Sequence, residues 1–212
     1  MTAAIVLAGG QSSRFGGSKL EAILDGRPLL DHAVAAATAV AEEVIVVLAP
    51  GSANVALRPG ARFVIDPEPF GGPLVGLAAG LAATDENLAI VIGGDMPLVR
   101  PALLRRLLAE LGRGDPPGPP EAAVLDVAGD RRPLPAALRV APARAASMTA
   151  LGRGDRSLRS LLDRLRTSGV PEAEWRAVDP DGGSLVDVDR PEDLQSIVDR
   201  LGASDQRDRG LR

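Results

Sequence analysis

Short apolar runs recur along this 212-residue chain, and segments with helical patterning separate them. Branched side chains dominate the runs, which have no polar face, as is typical of strands in a parallel sheet that is covered on both sides. The intervening segments favour helices, and each has a proline near its first position. This alternation predicts βαβ units and therefore a three-layer, doubly wound α/β fold with a mostly parallel sheet. The runs are AAIVLA (3–8), EVIVVLA (43–49), RFVI (62–65) and NLAIVIG (87–93), and the helical segments are 28–40, 73–83 and 100–112.

The second half of the chain has a less regular pattern. Its segments predict two strands, a helix, two further short strands and a terminal helix. We expect residues 1–202 to form one domain and the polar residues 203–212 to be a frayed tail. In chain order the predicted elements are strands at 122–128 and 134–140, a helix at 157–165, the short strands RAV (176–178) and SLVDV (184–188), and a helix at 190–201.

Composition excludes several classes of site. The chain has no cysteine and one histidine, so disulfides, thiolate chemistry and a zinc site of the usual nitrogen and sulfur kind are excluded. Any metal must be held by oxygen atoms, which favours Mg²⁺ or Mn²⁺. A net charge of −4 and 2% aromatic residues argue against a nucleic-acid-binding surface. No apolar run approaches the roughly 20 residues that a membrane span needs, and no signal peptide is evident, so a cytoplasmic protein is expected.

The loop LAGGQSSRFGGSK (7–19) follows the first predicted strand. Ligands bind at the carboxyl ends of the strands in open α/β sheets, so this loop lies where a ligand-binding or catalytic loop is expected. Its spacing excludes both the Walker phosphate loop and the dinucleotide-binding glycine motif. Gly9 and Gly10 would still let backbone N–H groups approach a phosphate, and Arg14 and Lys19 would add positive charge. From composition alone, an ordinary turn with solvated charges is equally well supported.

Three aspartates are candidate metal ligands. Asp95 ends the fourth apolar run, where it either closes an Asx turn or holds a cation. Asp187 and Asp189 alternate in the predicted strand and would share one face of it. Asp189 also precedes Arg190-Pro191-Glu192, which favours a helix-capping role, whereas the role of Asp187 stays open. The lone histidine, His32, lies in a predicted helix and is expected to be structural.

Motifs in several parts of the chain occur in the order found in one enzyme family. They are Leu7-Ala8-Gly9-Gly10-x-Ser12-x-Arg14-Phe15-Gly16-x-x-Lys19, Gly26-Arg27-Pro28-Leu29-Leu30-x-His32, Asp66 with Gly71-Gly72-Pro73-Leu74-x-Gly76-Leu77, Gly94-Asp95-Met96-Pro97, Gly154-x-Arg156-Ser157-Leu158-Arg159 and Asp187-Val188-Asp189-Arg190-Pro191-Glu192-Asp193-Leu194. Across residues 3–200 the chain resembles the nucleotidyltransferase family that includes molybdenum cofactor guanylyltransferase. The chain departs from the family pattern where Arg132 replaces a glutamine or histidine, and where Asp187 and Asp189 replace asparagines.

The resemblance implies a Rossmann-like fold and transfer of GMP from GTP to molybdopterin, with release of pyrophosphate. Cytidylyl transfer, sugar-phosphate nucleotidyl transfer and non-catalytic nucleotide binding remain the alternatives. The expected cofactor is Mg²⁺, with Mn²⁺ as a substitute, and a contact with molybdoenzyme maturation proteins is also implied. The implied residues are Lys19, Arg14 and Asp95 for catalysis, Leu7, Ala8, Gly9, Gly10, Lys19, Asp66, Gly72 and Asp95 for the nucleotide, and Asp95 and Asp187 for the metal.

Overall fold

The computed structural model describes residues 1–9, 19–52, 60–68, 71–114 and 118–198, and its centre is a seven-stranded sheet. The strand order is β5-β4-β1-β6-β8-β7-β9. Strands β5, β4, β1 and β6 are parallel, and β8 runs antiparallel between β6 and β7. The strands are β1 Thr2–Ala8, β4 Glu43–Leu48, β5 Ala61–Ile65, β6 Leu88–Gly93, β7 Ala122–Val127, β8 Asp130–Arg139 and β9 Thr167–Val170, with a small separate hairpin of β2 Ile23–Leu24 and β3 Arg27–Pro28. The predicted mostly parallel α/β sheet is confirmed.

Helices cover both faces of the sheet. Helices α1 and α3 pack on one face together with α6, and α2, α4 and α5 pack on the other. Helix α3 ends at its capping glycine, as the sequence predicts. A last helix spans 191–198 as far as the structure describes it. The helices are α1 Leu29–Thr38, α2 Pro73–Ala82, α3 Pro101–Leu111, α4 Val140–Gly152, α5 Leu158–Leu162 and α6 Glu172–Arg176, with 3₁₀ turns at Lys19–Glu21 and Gly183–Leu185.

Alternation along the strands explains why both faces are apolar. In β1, Ala4 and Val6 join the core beneath α1 and α3, whereas Ile5 joins the core beneath α2 and α4. All three side chains are fully buried. Successive residues of a strand point to opposite faces, so a sheet with helices on both sides needs apolar residues at every position. The uninterrupted apolar runs in the sequence are therefore a direct consequence of the three layers.

Glycine brings α2 unusually close to the sheet. A Cβ atom on Gly80 would lie 2.6 Å from Cγ2 of Ile5 and 3.1 Å from Cγ2 of Val47. Both neighbours belong to the packed core between α2 and the strands. Because closely packed cores tolerate little added volume, this position excludes a larger side chain.

We expect Gly80→Ala to lower the free energy of unfolding by about 1–3 kcal/mol, because the added methyl group displaces Ile5 or the helix. The matched control is Gly152→Ala, where a Cβ atom meets nothing within 4 Å and alanine favours the helix. Urea unfolding of both variants measures the difference. Equal stability of the two variants would contradict the close approach.

The structure differs from the sequence predictions in three places. RAV (176–178) begins at the last residue of α6 and forms no strand, and SLVDV (184–188) begins in a 3₁₀ turn and pairs with no strand. Helix α4 was not predicted, because its small and polar residues give no apolar stripe. The predicted tail, 203–212, lies outside the described residues.

Candidate active site

A cleft of about 400 Å³ opens at the carboxyl ends of β1, β4 and β5. Helix α2 forms its far wall, and four of the residues predicted to bind a nucleotide line it: Leu7, Gly9, Asp66 and Gly72. A pocket of this size suits a small organic ligand. We call it the nucleotide cleft; its remaining lining residues are Val47, Ala49, Pro50, Glu68, Gly71, Pro73 and Gly76.

The other described residues that were predicted for the nucleotide do not line this cleft. Ala8 is buried in the core on the α1 side of the sheet and does not line the cleft. Gly10 and Arg14 lie outside the described residues, so their predicted roles stay predictions. Asp66 is nearly buried, and its carboxylate accepts a hydrogen bond from the backbone N–H of Glu68 at 3.0 Å. That bond holds the Asp66 side chain at the edge of the nucleotide cleft.

Gly72 starts α2 in a conformation that favours glycine. Its φ is +90°, and a Cβ atom there would lie 2.9 Å from both Cβ and the carbonyl oxygen of Arg156. The backbone N–H of Leu74 donates to the same carbonyl at 3.2 Å. The glycine therefore lets the first turn of α2 pack against residue 156 while bordering the nucleotide cleft.

Lys19 joins the first loop to two distant carboxylates. Its ammonium donates to Oδ2 of Asp95 and to Oδ1 of Asp189, both at 2.7 Å. The Lys19 side chain is 14% exposed, whereas that of Asp189 is 60% exposed. Burial alone would lower the pKa of Lys19, but the hydrogen bonds and charges of Asp189 and Asp95 outweigh it and raise that pKa. Lys19 therefore stays protonated throughout the neutral range and below.

Main-chain bonds bring the three residues of this cluster together. The N–H of Gly94 donates to the carbonyl of Leu7 at 2.9 Å, which ties the end of β6 to the end of β1. The N–H of Val188 donates to the carbonyl of Asp95 at 2.9 Å, which draws the segment with Asp187 and Asp189 to the same edge. Gly93 leaves room for the carboxylate, since a Cβ atom there would lie 2.3 Å from Oδ1 of Asp95.

Asp189 does not occupy the position that caps the last helix. That helix begins at residue 191, and the carboxylate of Asp193 accepts the N–H groups of Asp189 and Arg190 at 2.8 and 2.7 Å. An acidic side chain at the third helical position reaching back in this way is half of a capping box. The capping prediction for Asp189 is therefore wrong, and its carboxylate binds Lys19 instead.

A buried turn positions the segment that carries Asp187 and Asp189. Asp179 is fully buried, and its two carboxylate oxygens accept the N–H groups of Gly183 and Ser184 at 3.2 and 2.9 Å. Nε of Arg100, at the start of α3, lies 3.0 Å from the same carboxylate. This turn therefore fixes the approach of the next residues to Asp95.

We expect Asp179→Asn to lower the free energy of unfolding by about 1–3 kcal/mol, because it removes a charge from hydrogen bonds that are shielded from water. The segment with Asp187 and Asp189 should loosen as well, which should reduce turnover. Asp181→Asn is the matched control, since Asp181 contacts the same Arg100 at 3.2 Å but is 83% exposed. Thermal unfolding and turnover of both variants are the measurements, and equal loss in the two variants would contradict the positioning role.

A second cleft, of about 430 Å³, adjoins the first across Pro73. Asp95 and Asp187 line it together with two exposed arginines, Arg132 and Arg159, that were not predicted as site residues. The sequence signals for the two arginines were the departure from the family pattern at Arg132 and the place of Arg159 in the motif that begins at Gly154. We call it the second cleft; its other lining residues are Pro73, Met96, Pro133, Leu134, Ser157, Leu158 and Leu185.

The acidic residues present fit a magnesium site completed by a substrate. Among the described residues no group of three or more acidic or histidine side chains is close enough to enclose a metal. Mg²⁺, however, is commonly held by one or two carboxylates together with substrate phosphates and water. Asp95 and Asp187 provide two carboxylates in one cleft. Asp95 also pairs with Lys19, so the lysine and a metal would share its oxygens.

His32 has a structural role, as expected. Its Nε2 lies 2.8 Å from the carbonyl oxygen of Leu24, and its Nδ1 lies 3.2 Å from the guanidinium of Arg27. These contacts fasten the β2–β3 hairpin to α1.

In the part of the chain that the structure describes, no helix is long and apolar enough to cross a membrane.

Comparisons with known proteins agree with the fold and identify the family. A family model described as the MobA-like NTP transferase domain matches residues 4–169. A probable molybdenum cofactor guanylyltransferase of Chloroflexus aggregans is 34% identical over 213 residues, which cover 96% of this chain and 97% of the relative. A molybdenum cofactor guanylyltransferase of Shewanella halifaxensis is 31% identical over 73% of this chain and 76% of the relative. The crystal structure of molybdopterin-guanine dinucleotide biosynthesis protein A of Archaeoglobus fulgidus shares the fold, with a TM-score of 0.79 and 23% identity over 96% of this chain and 100% of that one. The chain therefore belongs to the MobA-like NTP transferase family, in which these curated relatives are named molybdenum cofactor guanylyltransferases.

Proposed function

We propose that this protein transfers GMP from GTP to molybdopterin and releases pyrophosphate. The observation that carries the proposal is the arrangement of two adjoining clefts, the second of which is lined by Asp95, the partner of Lys19. A transfer between two small molecules requires two neighbouring binding sites with charged groups beside them. The choice of guanine and molybdopterin rests on the names of the curated relatives.

The nucleotide cleft is suited to the GTP. Its walls are largely apolar and it has one nearly buried carboxylate, Asp66, which can accept hydrogen bonds from the nucleoside. The carboxyl end of β1 leads into the glycine loop, whose backbone N–H groups would meet the phosphates. Lys19 would then lie beside the triphosphate with its positive charge retained.

The reaction needs no general base. A phosphate monoester has a second pKa of about 6, so its oxygen is already ionised near neutral pH. That oxygen forms a bond to the α-phosphorus of GTP, the bond from this phosphorus to the bridging oxygen breaks, and pyrophosphate leaves with the electron pair. Lys19 neutralises charge on the phosphates and holds them in line with the acceptor.

The metal belongs to the same proposal. Asp95 and Asp187 would hold Mg²⁺ or Mn²⁺ at the meeting of the two clefts. Such an ion, when bound, supplies positive charge that stabilises the triphosphate and the leaving pyrophosphate. A contact with molybdoenzyme maturation proteins, which the family resemblance implies, and a cytoplasmic location, which the composition and apolar pattern of the sequence favour, stay predictions.

Incubating the protein with each of the four nucleoside triphosphates, Mg²⁺ and molybdopterin, and following pyrophosphate, tests the function. We expect turnover with GTP and at least about tenfold less with ATP, CTP or UTP. Preference for CTP would identify a cytidylyltransferase. Turnover only with a sugar phosphate as acceptor would identify a sugar-phosphate enzyme, and nucleotide binding without turnover would identify a binding protein; each of these results overturns the proposal.

A further inference from the structure

Two arginines on the wall of the second cleft have no partner within the part of the chain that the structure describes. The side chains of Arg132 and Arg159 are exposed and make no hydrogen bond or ion pair with any described residue. Many other arginines in this protein are paired, such as Arg106 with Glu110 and Arg164 with Asp155. The two unpaired guanidinium groups are contributed by β8 and α5, elements that lie apart in the sequence but border the same cleft.

The cleft also contains two carboxylates that the arginines do not neutralise. Asp95 and Asp187 lie on its wall, yet neither is within ion-pair distance of Arg132 or Arg159 among the described contacts. The positive groups therefore remain available to an anion from solution. Guanidinium presents N–H donors in a planar fork that matches the oxygens of a phosphate group.

Apolar side chains complete the cleft. Met96, Leu134, Leu158 and Leu185 lie on its walls, and the volume of about 430 Å³ is within the range of small-ligand sites. A ligand with one phosphate group would place the rest of its body on these side chains and the phosphate at the arginines. The two clefts share Pro73, so a phosphate held in the second cleft lies next to the nucleotide cleft.

We propose that Arg132 and Arg159, the arginine pair, bind the phosphate monoester of the acceptor and position it for attack on the nucleotide. This inference rests on the proposed function, because it assigns the second cleft to the second substrate. The acceptor arrives as a dianion and must approach a triphosphate that is itself highly charged. Lys19 already pairs with Asp95 and Asp189, whereas the arginine pair is available to offset the charge of the acceptor.

The test is steady-state kinetics of Arg132→Gln, Arg159→Gln and the double variant with GTP and molybdopterin. We expect the KM for molybdopterin to rise about tenfold for each single variant and about 100-fold for the double variant, as for lost charge-assisted hydrogen bonds. The KM for GTP should stay within about twofold of the wild type, because the pair does not line the nucleotide cleft. Arg→Lys at either position keeps the charge without the fork and should restore part of the affinity.

Arg131→Gln is the matched control for β8, since its Nε lies 4.0 Å from Oδ1 of Asp126 and its side chain points to the other face of the strand. Arg153→Gln, on the exposed turn after α4, is the control for Arg159. A KM for molybdopterin in the double variant that matches these controls overturns the assignment while leaving guanylyl transfer intact.

Calorimetric titration with inorganic phosphate separates this inference from the proposed function. The nucleotide cleft is first saturated with a GTP analogue that has a methylene group between the α- and β-phosphates. We expect the double variant to bind phosphate at least about tenfold more weakly than the wild type and the two control variants. If molybdopterin accepts no GMP but this difference is found, the function is wrong and the anion site stands. Equal phosphate affinity in all variants overturns the anion site.

Discussion

Replacing Lys19 by methionine is expected to lower kcat by about 10²–10³-fold, the usual loss when one group that stabilises transition-state charge is removed from a closed site. Methionine keeps the length and most of the apolar contact of the lysine but has no charge. It also leaves Asp95 and Asp189 facing one another without the cation that both contact at 2.7 Å. Single-turnover measurement of pyrophosphate release with GTP and acceptor reports the loss in the chemical step.

The matched control for Lys19→Met is Asp189→Asn, which keeps a hydrogen-bond acceptor beside the lysine and removes one charge. Its kcat should fall less than about tenfold, because Asp95 still holds the ammonium.

Lys19 is the only lysine in the sequence, so amine-directed acylation followed by mass spectrometry reports on this one side chain. Its raised pKa makes labelling slow near neutral pH, and Asp189→Asn should speed it. Turnover of Lys19→Met within tenfold of the wild type would contradict the catalytic role.

Asp95→Asn is expected to reduce Mg²⁺-dependent pyrophosphate release by at least about 100-fold. Asparagine has the same shape as aspartate, so the main-chain bond from Val188 to the carbonyl of residue 95 should persist. The substitution removes the charge that pairs with Lys19 and that would hold a divalent cation over the sheet edge. Binding of Mn²⁺ in the presence of GTP, followed by electron paramagnetic resonance, should weaken in parallel.

Asp85→Asn is the matched control for Asp95→Asn, because Asp85 is exposed at the opposite end of β6, just before the strand begins. Its turnover, Mn²⁺ affinity and melting temperature should all equal those of the wild type within error. An Asp95→Asn protein that keeps its Mn²⁺ affinity and its pyrophosphate release would remove Asp95 from the proposed metal site. Loss of turnover with unchanged Mn²⁺ affinity would instead restrict Asp95 to holding Lys19.

Predictions from the sequence succeeded where short-range physics decides the outcome. The strands β1, β4, β5 and β6 follow from runs of branched apolar residues, because a strand buried on both faces has no position for a polar side chain. The proline at the start of α2 and the capping glycine after α3 mark helix ends for equally local reasons. The same local reasoning gave wrong results near the end of the chain. Residues 184–188 alternate like a strand, but the N–H of Val188 bonds to the carbonyl of Asp95 instead of to a neighbouring strand.

The apolar runs and the composition were enough to establish the layered α/β fold, a glycine-rich loop after the first strand, and a metal chemistry restricted to oxygen ligands. The sequence could not predict which carboxylates contact Lys19, because Asp95 lies 76 residues and Asp189 lies 170 residues further along the chain. These contacts follow from the tertiary structure. It also decided that the turn at Asp179 supports the acidic segment, and that Arg132 and Arg159 share a cleft. Strands and helices can be predicted because their burial pattern and backbone geometry depend on residues that are close together in the sequence. Pairing between distant charges depends instead on how the strands and helices pack, because that packing sets the positions of the loops that carry the charged residues.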